Sequence, residues 1–347
     1  MNTNLYKIIE KQLFELVFSK NKYKNLENIN IFFSGGTGFL GKWMLTCLDY
    51  IAHKNDYRIS ITLLSRKITN INKIRTSFNN LNLSFLKGDI SKIIIKKKFD
   101  VIFHFAASSS KDENLNKIKV TDTIINGTIN IIKNAERLNI KNLVFLSSGA
   151  VYGKHCKSNK GWKENDNISP DVSNPASTYG LLKKCSENLF INWAKNNNNN
   201  LLILRGFSFG TISESANSHF AFDNFIKKRA NQENIIMNSC GKSKRNFMHP
   251  MDLCNWIFMS LPLKDISILN CGSKNNITLL DLAKKIAGIP IKGLQRVSFN
   301  SGNDNTKEDY IPNLCKSHAL GYSEKISLNQ QIKYSIYNVL EHNNIHG

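Results

Sequence analysis

The chain has 347 residues, of which 41% are hydrophobic and 21% are charged, and its formal net charge is +21. This length and composition predict a folded globular protein with a large core and exclude an intrinsically disordered chain. Apart from Lys96-Lys97-Lys98, the lysines are dispersed along the chain, and they form no basic stripe interleaved with aromatic residues. We therefore expect no nucleic-acid partner, and a positive surface that attracts an anionic small molecule.

The sequence contains no signal for export or for a metal site. No stretch approaches the roughly 20 apolar residues that span a bilayer, and Glu10 and Glu15 interrupt the region where a secretory signal would be apolar. The seven cysteines are scattered without a C-x-x-C motif, which predicts reduced thiols and neither a disulfide framework nor a zinc site. We expect a cytoplasmic protein without a membrane partner or a metal.

Strand-like apolar runs alternate with helical patterns over the first two thirds of the chain. Residues 1–28 predict an N-terminal helical extension, because apolar residues recur there at roughly helical spacing. Strands are then predicted at 29–33, 59–64, 83–86, 100–105, 142–147 and 201–205. Helices are predicted between them, for example at 40–52, 119–137 and 178–195. This alternation predicts an α/β fold with a Rossmann-type, doubly wound parallel sheet over residues 29–206.

The regular alternation of strands and helices ends after Gly206. Shorter elements follow, with helices predicted near 220–231, 251–260 and 278–287. This change predicts a smaller C-terminal substrate-binding lobe, over residues 207–347, that is interleaved with the main domain.

A glycine-rich turn follows the first predicted strand and opens the next helix. Gly35, Gly38 and Gly41 stand at G-x-x-G-x-x-G spacing, where they permit a tight turn, close approach to a phosphate and close helix packing, respectively. Backbone N–H groups and a helix N-terminus at such a turn bind a pyrophosphate. The turn predicts a dinucleotide site formed by Gly35, Thr37, Gly38, Phe39, Leu40 and Gly41. A purely packing role for the glycines is the alternative when the pattern is taken alone.

The end of the second predicted strand bears on the choice of cofactor. A site that prefers NAD usually offers a carboxylate there for the ribose 2′-OH, but this chain has Ser65, Arg66 and Lys67. A guanidinium can pair with a 2′-phosphate in a fork. We therefore favour NADP over NAD, with Ser65 and Arg66 at the cofactor; the alternative is that Arg66 is an ordinary exposed loop cation.

Two later strand ends also predict cofactor contacts. Asp89, followed by Ile90, could accept a hydrogen bond from the adenine amino group, although a turn or cap role is the alternative for this carboxylate. Ala106 and Ala107 follow the strand at 100–105, and their small side chains would leave room for the cofactor. We expect His104 in that strand to be structural.

Tyr179 and Lys183 are four residues apart in a predicted helix and therefore share one face. A phenol normally has a pKa near 10, and a neighbouring ammonium lowers that pKa by stabilising the phenolate. Ser148 ends the preceding strand, where open α/β sheets bind their ligands. Ser147 would point to the other side of the strand and is the less favoured alternative. Together with the glycine turn, these residues predict a catalytic cofactor site.

At this point the chain resembles the extended short-chain dehydrogenases/reductases, in the NAD(P)-dependent epimerase/dehydratase family that modifies nucleotide sugars. The resemblance runs from about residue 29 to 340 and includes Ser148…Gly153, Tyr179…Lys183, Arg245-Asn246-Phe247-Met248-His249-Pro250 and Leu269-Asn270-Cys271-Gly272. It implies that Tyr179 is the acid/base, that Lys183 tunes its pKa and anchors the ribose, and that Ser148 polarises the carbonyl.

The same resemblance assigns residues and partners beyond the catalytic three. It implies that Asn224 and Arg245 hold a nucleotide diphosphate; without it, a helix-start Asn and a surface Arg would be the favoured interpretations. It also implies a nucleotide-diphosphate sugar as substrate and a homodimer built on the helices at 119–137 and 178–195.

Departures from the family pattern narrow the reaction. The dehydratase branch has Asp and Glu after the catalytic serine or threonine, whereas this chain has Gly149 and Ala150, which argues against dehydration. Ser208 and Ile124 replace asparagines that are frequent in the family, so the resemblance does not identify the sugar of the substrate. We favour an NADPH-dependent 4-keto-sugar reductase; the alternative is a C4 epimerase with retained NAD, and a more distant one is a non-catalytic dinucleotide- or RNA-binding relative.

Overall fold

The computed structural model describes residues 3–19, 23–67, 71–107, 116–153, 160–211, 220–291, 296–299 and 308–346. Its centre is a parallel seven-stranded sheet in the order β10-β6-β5-β4-β1-β2-β3. These strands are β1 (Asn30–Ser34), β2 (Ser60–Ser65), β3 (Asn82–Lys87), β4 (Val101–His104), β5 (Asn142–Ser148), β6 (Asn200–Gly206) and β10 (Ile266–Cys271). The predicted Rossmann-type fold is confirmed.

The sheet is buried on both faces because its strands carry nearly continuous apolar runs, as parallel strands covered by helices do. Every residue of β4 is buried, as are four of the five residues of β1. Separate apolar clusters lie on the two faces, one around Phe33 and Phe103 and the other around Phe32 and Phe145. The strand order reverses beside β1, so the carboxyl ends of β1 and β4 form the crevice where such sheets bind ligands.

The helices follow the predicted positions closely. They are α1 (Thr3–Phe18), α2 (Phe39–Asn55), α3 (Ile71–Ser77), α4 (Lys117–Thr121), α5 (Gly127–Arg137), α6 (Thr178–Asn196), α7 (Ala221–Ala230), α8 (Pro250–Ser260), α9 (Leu279–Ala287), α10 (Cys315–Ala319) and α11 (Leu328–His346). The helix predicted at 119–137 is interrupted by a π-helical turn at Asp122–Asn126. Within the described ranges, no helix is both long and apolar enough to cross a bilayer.

The part of the chain after Gly206 contributes to the main sheet as well as to smaller ones. Strand β10 pairs with β6 at the sheet edge, which the sequence analysis did not anticipate. The smaller sheets are β11-β9-β7 and β12-β8, formed by β7 (Ser208–Phe209), β8 (Ile235–Met237), β9 (Lys244–Met248), β11 (Asn276–Thr278) and β12 (Val297–Phe299). The boundaries proposed at residues 28 and 206 stay a prediction.

Helix α1 packs against α2 of the main domain and against the C-terminal helix α11. The Phe14 ring stacks on Tyr50 of α2 with centroids 4.6 Å apart. Near the start of α1, the Tyr6 hydroxyl lies 3.0 Å from that of Tyr334 in α11, and Tyr334 also donates to Glu10. The N-terminal helix therefore joins α2, which follows the first strand of the main sheet, to the C-terminal helix α11.

Candidate active site

The glycine-rich turn has a backbone that a side chain would disrupt. Gly35 has φ +86°, and a Cβ there would lie 2.6 Å from the backbone nitrogen of Ala106. A Cβ at Gly41 would lie 2.2 Å from the Gly35 carbonyl oxygen. Thr37 and Gly38 are exposed, Phe39 and Leu40 are half-buried, and α2 begins at Phe39. Because the first N–H groups of a helix lack intrahelical acceptors, this turn fits a pyrophosphate.

Two alanine substitutions separate the packing role of this turn from its binding role. Gly41→Ala is expected to lower the free energy of unfolding by about 1–3 kcal/mol, because its methyl group would overlap the Gly35 carbonyl. At Gly38 the nearest atom would be 3.3 Å away, a tight contact that a small shift relieves, so Gly38→Ala should lose less stability than Gly41→Ala and weaken dinucleotide binding. Denaturant unfolding and calorimetric titration with NAD and NADP measure the two effects. Equal stability of the two variants would contradict the role of Gly41.

The side chains predicted around the rest of the cofactor lie at the same edge of the sheet. Ala106 and Ala107 are half-buried beside the turn. The Ser65 hydroxyl donates to the Lys67 carbonyl, and Arg66 is exposed. The NADP preference inferred from Ser65 and Arg66 stays a prediction.

Asp89 adopts the turn geometry that the sequence left open as an alternative. Its carboxylate accepts hydrogen bonds from the Ser91 N–H and hydroxyl, at 2.9 and 2.8 Å. Partial burial alone would raise the Asp89 pKa, but these hydrogen bonds and the charge of Arg66 bring the pKa below its ordinary value. Ile90 next to it is buried. Contact of Asp89 with an adenine stays a prediction.

Ser148 ends β5, and the first turn of α6, which carries Tyr179, packs on the turn that follows Ser148: a Cβ at Gly180 would lie 2.2 Å from the Ala150 carbonyl oxygen. Ser148 Oγ accepts a hydrogen bond from the Ala150 N–H at 3.1 Å. Tyr179 lies in the first turn of α6 and is half-buried. Burial and the charge of Tyr310 raise the Tyr179 pKa above its ordinary value, while the hydrogen bond to Ser148 lowers it. The phenol is therefore a neutral proton donor in the unliganded protein.

Lys183 is buried between α6 and β5. Its ammonium donates to the Leu146 carbonyl at 2.8 Å and lies 4.5 Å from the centroid of the Phe145 ring. Burial lowers the Lys183 pKa to about 7, against the charge of Glu187, which raises it. The ammonium thus donates to β5, and the lowering of the Tyr179 pKa by Lys183 together with a bound nicotinamide stays a prediction.

A buried ion pair lies one helical turn beyond Lys183. The Glu187 carboxylate pairs with Arg205 of β6, with Nη2–Oε2 at 2.7 Å and Nε–Oε1 at 3.0 Å. The Ser147 hydroxyl donates to the same carboxylate, so Ser147 faces away from Ser148. Arg205 also donates to the Tyr152 hydroxyl at 2.7 Å. This network joins α6 to β5 through Ser147 and to β6 through Arg205.

Tyr310 is a site residue that sequence reasoning missed. Its hydroxyl lies 3.4 Å from Ser148 Oγ, and the Arg245 guanidinium carbon lies 5.9 Å from its ring centroid. Arg245 is half-buried and donates to the carbonyls of Lys244 and Glu308. Tyr310 therefore brings Arg245 and Ser148 into one cluster. A lone tyrosine outside any periodic segment carried no signal by which it could have been found.

The other predicted substrate contact is separate from this cluster. Asn224 is exposed on α7, and none of its described contacts joins it to Ser148 or Arg245.

Among the described residues, no group of three or more metal-ligating side chains comes together. His104 hydrogen-bonds to Ser34 at 2.7 Å, and burial and the charge of Lys183 lower its pKa to about 3, in keeping with a structural role.

The sequence matches the model of one protein family and is similar to named relatives. The model of the NAD dependent epimerase/dehydratase family matches residues 31–272. The chain is 26% identical over 282 residues to dTDP-D-glucose 4,6-dehydratase of Dictyostelium discoideum, covering 75% of this chain and 62% of that protein. It is 27% identical over 288 residues to UDP-glucose 4-epimerase of Mycoplasma genitalium, covering 73% and 79%.

Solved structures share the fold. The structure of UDP-glucose 4-epimerase from Thermotoga maritima, with UDP-glucose, aligns with a TM-score of 0.73 at 18% identity, covering 91% of this chain and 100% of that one. At this identity the likeness concerns the fold alone.

Proposed function

We propose that this chain, which belongs to the NAD dependent epimerase/dehydratase family, catalyses hydride transfer at C4 of a nucleotide-diphosphate sugar. The observation that carries the proposal is that the first turn of α6, with Tyr179, packs on the turn after Ser148 at the carboxyl end of β5, where a Cβ at Gly180 would lie 2.2 Å from the Ala150 carbonyl oxygen. The glycine turn after β1 lies at the same edge of the sheet. Relatives named for dTDP- and UDP-sugars support the substrate class.

The residues of the site have distinct roles in this reaction. In the direction of reduction the neutral phenol of Tyr179 gives its proton to the C4 oxygen, and in the direction of oxidation its phenolate form takes the proton from the C4 hydroxyl. Ser148 donates a hydrogen bond to the same oxygen and stabilises the charge that develops there. Bound NAD(P) supplies or accepts the hydride. Lys183 anchors the ribose, and Arg245 offers a planar guanidinium to the diphosphate.

Two features of the 149–150 turn argue against dehydration. Neither Gly149 nor Ala150 has a side chain that can transfer a proton. A Cβ at Gly149 would lie 2.8 Å from ring carbons of Phe207, so this position has no space for a carboxylate side chain. The proposed reaction therefore ends with the C4 carbonyl or alcohol.

Two outcomes of the C4 chemistry have separate support. Ser65 and Arg66 stand where a carboxylate would select NAD, which favours a reductase that consumes NADPH. The Mycoplasma genitalium relative is named a UDP-glucose 4-epimerase, which favours epimerisation with retained NAD. For either outcome we propose a homodimer built on α4, α5 and α6, where Ile118 is 84% exposed.

Product analysis tests the proposal and separates its two outcomes. With UDP-glucose and NAD, an epimerase forms UDP-galactose without net reduction of the cofactor. With a UDP-4-keto-sugar and NADPH, a reductase forms the C4 alcohol as the NADPH absorbance falls. The same assays with dTDP-sugars identify the nucleotide. Absence of product in both assays, from a folded protein that binds the cofactor, would contradict the proposed function.

A further inference from the structure

Tyr310 is fixed between the catalytic end of β5 and the C-terminal lobe. Its backbone N–H donates to the Lys244 carbonyl at 3.0 Å, and the residue forms a parallel bridge with Arg245. Its ring packs on Phe207 with centroids 4.7 Å apart. Because a phenol oxygen lies on the ring axis, fixing the ring also fixes the hydroxyl oxygen 3.4 Å from Ser148 Oγ.

The hydrogen-bonding capacity of Ser148 makes this contact informative. A serine hydroxyl has one proton and two acceptor lone pairs. One lone pair of Ser148 accepts the Ala150 N–H. If Tyr310 donates to the second lone pair, the serine proton is left for a third partner. Burial raises the Tyr310 pKa to about 12 although Arg245 lowers it, so the phenol keeps the proton that this donation requires.

We propose that Tyr310 is a positioning residue whose hydroxyl donates to Ser148 and thereby directs the serine proton towards the C4 oxygen of the sugar. This inference rests on the proposed function. Tyr310 acts through Ser148, which is the group that touches the substrate. The same phenol stands beside Arg245, so one side chain joins the hydride-transfer end of the site to the proposed diphosphate end.

The test is Tyr310→Phe, which keeps the ring and its packing and removes the hydroxyl. We expect kcat to fall by about 2- to 10-fold, the effect of one neutral hydrogen bond, with the KM for the nucleotide sugar unchanged. Tyr322→Phe is the matched control, since that hydroxyl pairs with Ser260 outside the site.

A double-variant cycle distinguishes positioning from general structural damage. In the Ser148→Ala background, Tyr310→Phe should leave kcat unchanged, because the serine proton that it directs is gone. Thermal unfolding of each variant gives the folded fraction by which rates are normalised. An unchanged kcat for Tyr310→Phe, or an equal loss of kcat in the Ser148→Ala background, would overturn the inference while wild-type turnover upholds the proposed function. Absence of wild-type turnover would overturn both.

Discussion

Replacement of Tyr179 by Phe is expected to lower kcat by about 10²- to 10⁴-fold, the usual contribution of a positioned acid/base. The phenol is next to Ser148 at the end of β5, where the C4 oxygen of the sugar is proposed to lie. Phenylalanine keeps the ring in the first turn of α6 but can neither take nor return a proton. Cofactor binding should persist, because the glycine turn is untouched.

Steady-state kinetics measure the loss of kcat, with the substrate identified by product analysis. Calorimetric titration measures whether cofactor binding persists. Tyr322→Phe serves again as the control, since it removes a half-buried phenol oxygen far from β5. A Tyr179→Phe protein that retains wild-type kcat would refute the assigned role of Tyr179. The non-catalytic alternative on the same fold would then be favoured.

Replacement of Glu187 by Ala is expected to lower the free energy of unfolding by about 3–5 kcal/mol, because it leaves the Arg205 guanidinium buried without its partner. The side chains of Arg205 and Glu187 are only 9% and 3% exposed, and they form hydrogen bonds of 2.7–3.2 Å. The loss should also affect the site, since this pair ties α6, which carries Tyr179 and Lys183, to β6.

Denaturant unfolding of a double-variant cycle measures this contribution. The combination of Glu187→Leu with Arg205→Met should cost less than the sum of the single changes, because no unpaired charge remains buried. Glu233→Ala is the control for loss of a carboxylate, since Glu233 is exposed on the surface; its effect should stay within about 0.5 kcal/mol. Strict additivity of the two core substitutions would contradict the proposed coupling.

Those parts of the fold that depend on local pattern were predictable from the sequence. The six strands predicted in the main sheet are all present, with ends displaced by at most one residue, because each is an apolar run flanked by a turn. The glycine turn was equally visible, since the backbone at Gly35 and Gly41 excludes any side chain. Strand β10 escaped notice because it completes the sheet through pairing with β6, which sequence periodicity does not encode.

The parts of the site that depend on packing between distant segments could not be predicted. Lys183 shares a helix face with Tyr179, but the direction of its ammonium is decided by the Leu146 carbonyl and the Phe145 ring. Tyr310 reaches Ser148 only because a backbone bridge to Arg245 holds it there. Spacing along the chain identifies residues on one element, whereas these contacts join elements far apart in sequence.

The most direct test of hydride transfer at C4 locates a deuterium label. The protein is incubated with a UDP-4-keto-sugar and NADH or NADPH that carries deuterium at the transferring position of the nicotinamide, and the product sugar is examined by NMR. The proposed function predicts deuterium at C4 of the product, and about 10²- to 10⁴-fold slower formation of this product by the Tyr179→Phe variant. A product labelled at another carbon, or one formed without label, would contradict it.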